Sequence, residues 1–245
     1  MSNLNPYDLI FKPIGRSALL IEWPNKIDEI ILNDILQLQS NVEKELGDLL
    51  IETVNAYNSL TLIFHSSISS FNNIKEKIQE LHQVQSSIMS KAHRTWKIPV
   101  CYDEEYGIDL GDVAKQHELS PAEIVAIHSK AKYTVYFTGF LPGFLYLGGL
   151  PEVIHTPRKS TPRLRIRKGA VAIGGQQTGI YPSESPGGWN IIGNSPLLFF
   201  DPLQNPPCFA QAGDYLQFYS VDKKEHQRIL KEVELRSFHI KPELI

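Results

Sequence analysis

Residues 174–196 read GGQQTGIYPSESPGGWNIIGNSP, with six glycines and three prolines in 23 positions. No helical period survives such punctuation, and strand alternation survives only in fragments. Glycine admits positive φ and close backbone approach, while proline fixes φ and removes a donor. A chain with this stretch must fold locally into short strands and rigid turns. The same texture begins at Gly139 and dominates the chain beyond it, so the latter half reads as a β-barrel or sandwich.

The first half has a different texture. Asp8 to Ile14 and Ala18 to Trp23 are short strand candidates around a turn at Gly15. Ile27, Ile31, Ile35, Leu38, Val42 and Leu46 then recur at helical spacing, with Gly47 as a stop signal. Leu49 to Ala56 and Leu60 to His65 form a candidate hairpin. Phe71, Ile74, Ile78, Leu81 and Ile88 share the face of a second helix. The order ββαββα lets two helices cover one face of a four-stranded antiparallel sheet. The pattern breaks near His93 to Lys97, so the domains are placed at 1–93 and 94–245. A strand at Ile98 to Tyr102 and a short helical pair open the second domain. Ser120-Pro121-Ala122-Glu123 carries a capping serine, a proline at the first helical position and a glutamate three residues after the cap. Tyr133 to Thr138 alternates as a strand.

Composition narrows the function. The 245 residues are 42% hydrophobic and 21% charged, with a net charge of −3. This balance gives no basis for nucleic-acid or membrane binding. Cys101 and Cys208 fit neither a metal motif nor a disulfide framework, and they point to a reduced cytoplasmic protein. No apolar run approaches the ~20 residues of a bilayer span. Phosphate-loop, dinucleotide, zinc-protease and nucleophile-elbow motifs are absent, and no metal site is expected.

Three consecutive segments hold the candidate chemistry. Gly139 to Leu150 supplies aromatics able to wall a pocket or fill a core. Thr156 to Gly169 carries Arg158, Lys159, Arg163, Arg165, Arg167 and Lys168 with no acid among them. Strand alternation sends Arg163, Arg165 and Arg167 to one face, suited to anions or to pairing with acids elsewhere. Arg158 and Arg163 each follow a proline. In residues 174–196, Gln177, Thr178, Tyr181, Glu184, Ser185 and Trp189 stand between rigid turns. Glu184 beside Ser185 is either a base or a carboxylate bracing the loop. His128 precedes the strand that feeds the glycine-rich loop.

The run from Phe137 to Leu150, Thr156-Pro157-Arg158 with Thr161-Pro162-Arg163, Gln177 to Pro182 and Glu184 to Trp189 together resemble the B subunit of bacterial 5-oxoprolinase. That family is also known as the sporulation histidine-kinase inhibitors and as allophanate hydrolase subunit 1. The motifs cover about residues 97–220. The resemblance implies an α+β fold: an N-terminal ferredoxin-like α/β sandwich, then a cyclophilin-like β-barrel. It implies a companion C subunit (subunit 2) and a third, the A subunit. Together these convert 5-oxoproline, ATP and water to glutamate, ADP and phosphate. ATP is then a co-substrate of the complex, with no cofactor-binding residue assigned in this chain. The resemblance further implies two alternatives: inhibition of a sensor histidine kinase, or the carboxyltransferase component of a urea-carboxylase system. Under the first reading Arg158 and Glu184 are the expected catalytic residues. Arg163, Gln177, Thr178, Tyr181, Ser185, Trp189 and His128 are expected at the substrate.

Overall fold

Turn chemistry decides the connectivity of the first unit. The computed structural model describes residues 7–84 and 94–244, which divide into two compact units within 1–91 and 92–245. The expected boundary after residue 93 falls outside the described residues, as does Ile88 of the second helical stripe. In the first unit, β1 (Ile10–Ile14) pairs antiparallel with β2 (Ala18–Glu22) across the Gly15 turn. Helix α1 (Glu29–Leu46) follows. Strands β3 (Leu50–Asn55) and β4 (Ser59–Phe64) form a second hairpin before helix α2 (Phe71–Gln83). The sheet order is β1-β2-β4-β3. The expected layering is present, but the ferredoxin-like connectivity βαββαβ is not. Each tight turn pairs two strands directly before a helix intervenes.

Strand alternation explains the core of this unit. Leu19 and Ile21 of β2 and Leu60, Leu62 and Phe64 of β4 are buried, together with Ile31, Ile35, Leu38 and Val42 of α1 and Ile78 and Leu81 of α2. Asp28 caps α1 by accepting the Ile30 amide at 2.9 Å. Buried Asn41 of α1 donates to the carbonyls of Leu81 (2.9 Å) and Val84 (3.1 Å), satisfying the end of α2.

The second unit begins with β5 (Arg94–Val100), then α3 (Leu110–Gln116) and α4 (Pro121–Lys130). The capping box at Ser120 and Glu123 is formed as expected. Strands β6 (Tyr133–Thr138), β7 (Leu145–Gly148), β8 (Arg163–Ile166), β9 (Ala170–Gly174), β10 (Gln177–Ile180), β11 (Ser185–Gly187), β12 (Asn190–Asn194) and β13 (Tyr215–Ser220) follow. Helix α5 (Lys223–Glu234) and β14 (Glu243–Leu244) end the described chain. The sequence texture leads one to expect only strands and turns after Gly139, and α5 corrects that expectation. Asp222 caps this helix, and its buried positions are His226 and Ile229.

Among the described residues the strands of this unit form sheets of order β14-β5-β13-β6-β7, β10-β9-β12 and β11-β8, rather than one continuously hydrogen-bonded ring. One core nevertheless serves them. Ile98, Val100, Val135, Leu147, Val171, Ile173, Ile180, Ile192, Leu216 and Phe218 belong to the same buried cluster. Strands β5 and β13 run parallel. Their starts are joined by Asp214, which accepts Arg94 through Nε (2.9 Å) and Nη2 (2.7 Å) and the Trp96 indole at 2.9 Å. No helix among the described residues is long and apolar enough to cross a membrane.

Candidate functional site

Strand β9 has two apolar faces of different size. Val171 and Ile173 enter the main core. Ala170 and Ala172 point the other way, into a second cluster with Phe144, Ile166, Tyr181, Trp189 and Ile191. Small residues on that face leave room for rings. A Cβ at Gly174 would lie 2.5 Å from the Trp189 ring, and one at Gly179 would lie 3.2 Å from both Phe144 and Trp189. Gly174 and Gly179 thus form a bed for aromatic side chains. Phe144 meets Trp189 edge-on at 5.8 Å and Tyr181 at 5.6 Å.

Arg158 lies on this shelf. Its guanidinium carbon is 5.6 Å from the Trp189 ring centre, and the side chain is exposed. The flanks of Arg158 are bonded to the flanks of Trp189. The Lys159 amide donates to the Gly188 carbonyl at 2.7 Å, and the Asn190 side-chain amide donates to the Pro157 carbonyl at 2.8 Å. Burial pushes the Tyr181 phenol above its ordinary pKa. The Trp189 amide, which donates to it, and the nearby Arg158 charge pull it back down. Of the expected site residues, Arg158, Trp189 and Tyr181 are therefore brought together. Among the described residues no carboxylate lies within ion-pair distance of Arg158.

Arg163 and Arg165 are occupied, whereas Arg167 is exposed and in no ion pair among the described residues. Arg163 donates to buried Asp109 through Nη1 (2.9 Å) and Nη2 (2.6 Å), so it neutralises an internal carboxylate instead of facing a ligand. Asp109 is 2% exposed and also receives Lys159 Nζ at 2.8 Å and the Ile191 amide at 2.8 Å. Burial pushes the Asp109 pKa up, but these donors outweigh it and leave the carboxyl below its usual value. Arg165 pairs with Glu184 through Nε (2.9 Å) and Nη2 (3.1 Å) on the surface. Of the two roles expected for Glu184, base or brace, this pair fits the carboxylate that braces the loop. The sequence could not single out Asp109, one of several acids around the start of α3.

Two expected substrate residues prove to be internal. His128 is fully buried, bonded through Nδ1 to the Tyr102 hydroxyl (2.9 Å) and through Nε2 to Thr178 Oγ1 (2.9 Å). Thr178 donates onward to the Ala172 carbonyl at 3.0 Å. A carbonyl only accepts, so the Thr178 hydroxyl hydrogen points to Ala172 and its oxygen accepts from His128 Nε2–H. Nδ1 then accepts from Tyr102. Burial lowers the His128 pKa from 6.5 to about 3, which holds the ring neutral in this relay. His128 also stacks on Phe218 at 4.5 Å. The alternation of β10 explains the correction: Thr178 faces the main core, and Gly179 faces the shelf. Gln177 opens β10, half-buried, opposite Gly174. The Ser185 hydroxyl is buried with no hydrogen-bond partner among the described residues.

The Gly139 to Leu150 aromatics divide between the two roles expected for them. Phe144 is core, and Phe137 stacks on Tyr146 at 4.2 Å. Phe140 is 66% exposed with φ of 64°, a left-handed conformation that costs a bulky residue about 1–2 kcal/mol. The loop carrying it borders an open recess of about 380 Å³, completed by Phe200, Pro207 and Cys208.

The second unit is thus a mixed α/β arrangement of several small sheets that carries an arginine over an aromatic shelf. The family described as "Carboxyltransferase domain, subdomain C and D" matches residues 9–210, and the chain belongs to it. Among curated proteins it is 37% identical over 229 residues to the 5-oxoprolinase B subunit of Bacillus subtilis, covering 89% of this chain and 95% of that one. It is 43% identical over 206 residues to the 5-oxoprolinase B subunit of Haemophilus influenzae, covering 84% and 95%. The crystal structure of TTHA0988 superposes with a TM-score of 0.73 at 33% identity, over 84% of this chain and 40% of that one. The Kluyveromyces lactis urea amidolyase superposes with a TM-score of 0.77 at 19% identity, over 96% of this chain and 16% of that one, a likeness of fold alone.

Proposed function

We propose that the chain is the B subunit of a heteromeric 5-oxoprolinase. It acts with a companion C subunit and a third, the A subunit, in the ATP-dependent opening of 5-oxo-L-proline to L-glutamate. Its near full-length similarity to curated B subunits supports the assignment. The observation that carries the chemistry is the state of Arg158. Arg163 and Arg165 are neutralised by acids, while Arg158 lies exposed on Trp189 with its guanidinium edge open. A planar fork in this position suits the carboxylate of 5-oxoproline or a phosphoryl group in transfer. Tyr181 and Trp189 form the floor beneath this arginine. ATP is the co-substrate of the assembly, and no residue of this chain is assigned to it.

The fold reading behind the proposal is a barrel with two loose seams. The ring order is β5, β13, β6, β7, β10, β9 and β12. Strands β7 and β10 pack side by side, and the bridge between Cys101 and Asn194 returns β12 to β5. A carboxyltransferase component is the second reading, favoured by the family description itself.

The decisive assay is ATP-dependent hydrolysis of 5-oxoproline by the reconstituted complex. Arg158→Ala should lower kcat/KM at least about tenfold, since removing one charged donor at a developing charge costs about 1.4 kcal/mol or more. Unchanged turnover excludes Arg158 from the site.

A further inference from the structure

One buried carboxylate touches both sides of the Arg158–Trp189 pair. Asp109 accepts from Lys159, the residue after Arg158, and from the Ile191 amide, two residues beyond Trp189. It also binds Arg163 with both terminal nitrogens, anchoring the far end of the turn that begins at Arg158. Two prolines, Pro157 and Pro162, stiffen that turn. A charge taken out of water holds its partners strongly, because releasing any of them leaves the carboxylate uncompensated. Four donors converge on this group.

We propose that Asp109 is a positioning residue: through Lys159, Arg163 and the Ile191 amide it fixes the backbone that carries Arg158 over Trp189, and so sets where an anionic substrate group is received. The proposal deepens the reading of Arg158 as the anion-binding residue and rests on it. Asp109 is 2% exposed, so its action on the ligand runs through Arg158. A side chain carried on a turn keeps its geometry only when that turn is itself held by supporting bonds.

The test has one arm that does not depend on activity. The chain has three tryptophans, so its ¹H–¹⁵N spectrum carries three indole cross-peaks, of Trp23, Trp96 and Trp189. Arg158→Gln marks the position of the Trp189 peak when the cation is lost. In full-length Asp109→Asn the Trp189 peak should move toward that position while the Trp23 and Trp96 peaks stay. A Trp189 peak that does not move overturns the proposal. If Asp109→Asn fails to fold, Lys159→Gln carries the test, because it removes one arm and leaves the Arg163 pair intact. An unmoved Trp189 peak in that variant is equally fatal.

The second arm is kinetic. In the reconstituted complex, Asp109→Asn should raise the KM for 5-oxoproline about tenfold with a smaller change in kcat, and should add little in an Arg158→Gln background. Additive losses overturn the positioning role. If Arg158→Gln alone leaves turnover intact, the functional reading fails, and the indole shift still judges the link between Asp109 and Arg158.

Discussion

Thr178→Val separates a core residue from a site residue. The substitution keeps the shape of the side chain and removes one hydroxyl. That hydroxyl accepts from His128 Nε2–H at 2.9 Å and donates to the Ala172 carbonyl at 3.0 Å, with Thr178 1% exposed. In the variant the imidazole N–H faces a methyl group with no water to replace the bond. A buried unsatisfied donor costs about 1–3 kcal/mol, and the lost bond to Ala172 adds about 1 kcal/mol. The sum is roughly 2–4 kcal/mol, a shift of about 5–15 °C in the melting of a unit this size. Urea and thermal unfolding measure it directly, and Thr178→Ser should recover most of the loss because the hydroxyl remains. A loss below about 0.5 kcal/mol, within the range of an inert surface change, refutes the relay. A variant of unchanged stability but raised KM for 5-oxoproline would return Thr178 to the substrate.

Two further expectations concern buried histidines and an exposed ion pair. Burial holds His128 far below its unfolded pKa of 6.5 and lowers that of His226, so both bind protons more readily in the unfolded chain. Their contribution is fully present above pH 6.5 and falls as pH drops toward the folded values, at up to about 1.4 kcal/mol per pH unit for each proton. Urea midpoints of the second unit should therefore fall between pH 7 and pH 5, and His128→Gln should flatten the slope. A midpoint that holds or rises over that interval contradicts the buried neutral ring. Glu184→Gln breaks only an exposed pair with Arg165, so the urea midpoint should stay within the scatter of an ordinary surface substitution and turnover of the complex should change by less than about twofold. A fall of about a hundredfold in kcat would restore Glu184 as the general base.

The elements that can be read in the sequence are those whose signals are local. The α1 stripe reappears as buried Ile31, Ile35, Leu38, Val42 and Leu46, whereas Ile27 precedes the helix and is exposed. The Ser120 capping box and the 133–138 strand fall at their expected positions. Helix α5 escapes a reading by periodicity because few apolar side chains mark it: only His226 and Ile229 are buried. The ferredoxin-like expectation fails on connectivity, which depends on which strand pairs first and not on the number of elements.

Polar partners are the least legible part of the site, because most bonds that decide them join distant segments. Asp109 meets Arg163 across 54 positions and Ile191 across 82, and His128 meets Thr178 across 50. No local pattern encodes such pairs. The sequence can nominate polar residues on a rigid frame, but it cannot say which are already satisfied. Once each donor and acceptor is followed to its partner, the candidates separate. His128 and Thr178 close a circuit inside the core, and Arg163 and Glu184 are matched to opposite charges. Arg158 retains an open guanidinium edge above a buried ring, and Ser185 retains a hydroxyl without a partner among the described residues. A binding group must have bonding capacity that the fold has not consumed. By that criterion the proposed site centres on the Arg158 shelf, and Asp109, proposed to hold that shelf, becomes as consequential to the proposal as the arginine itself.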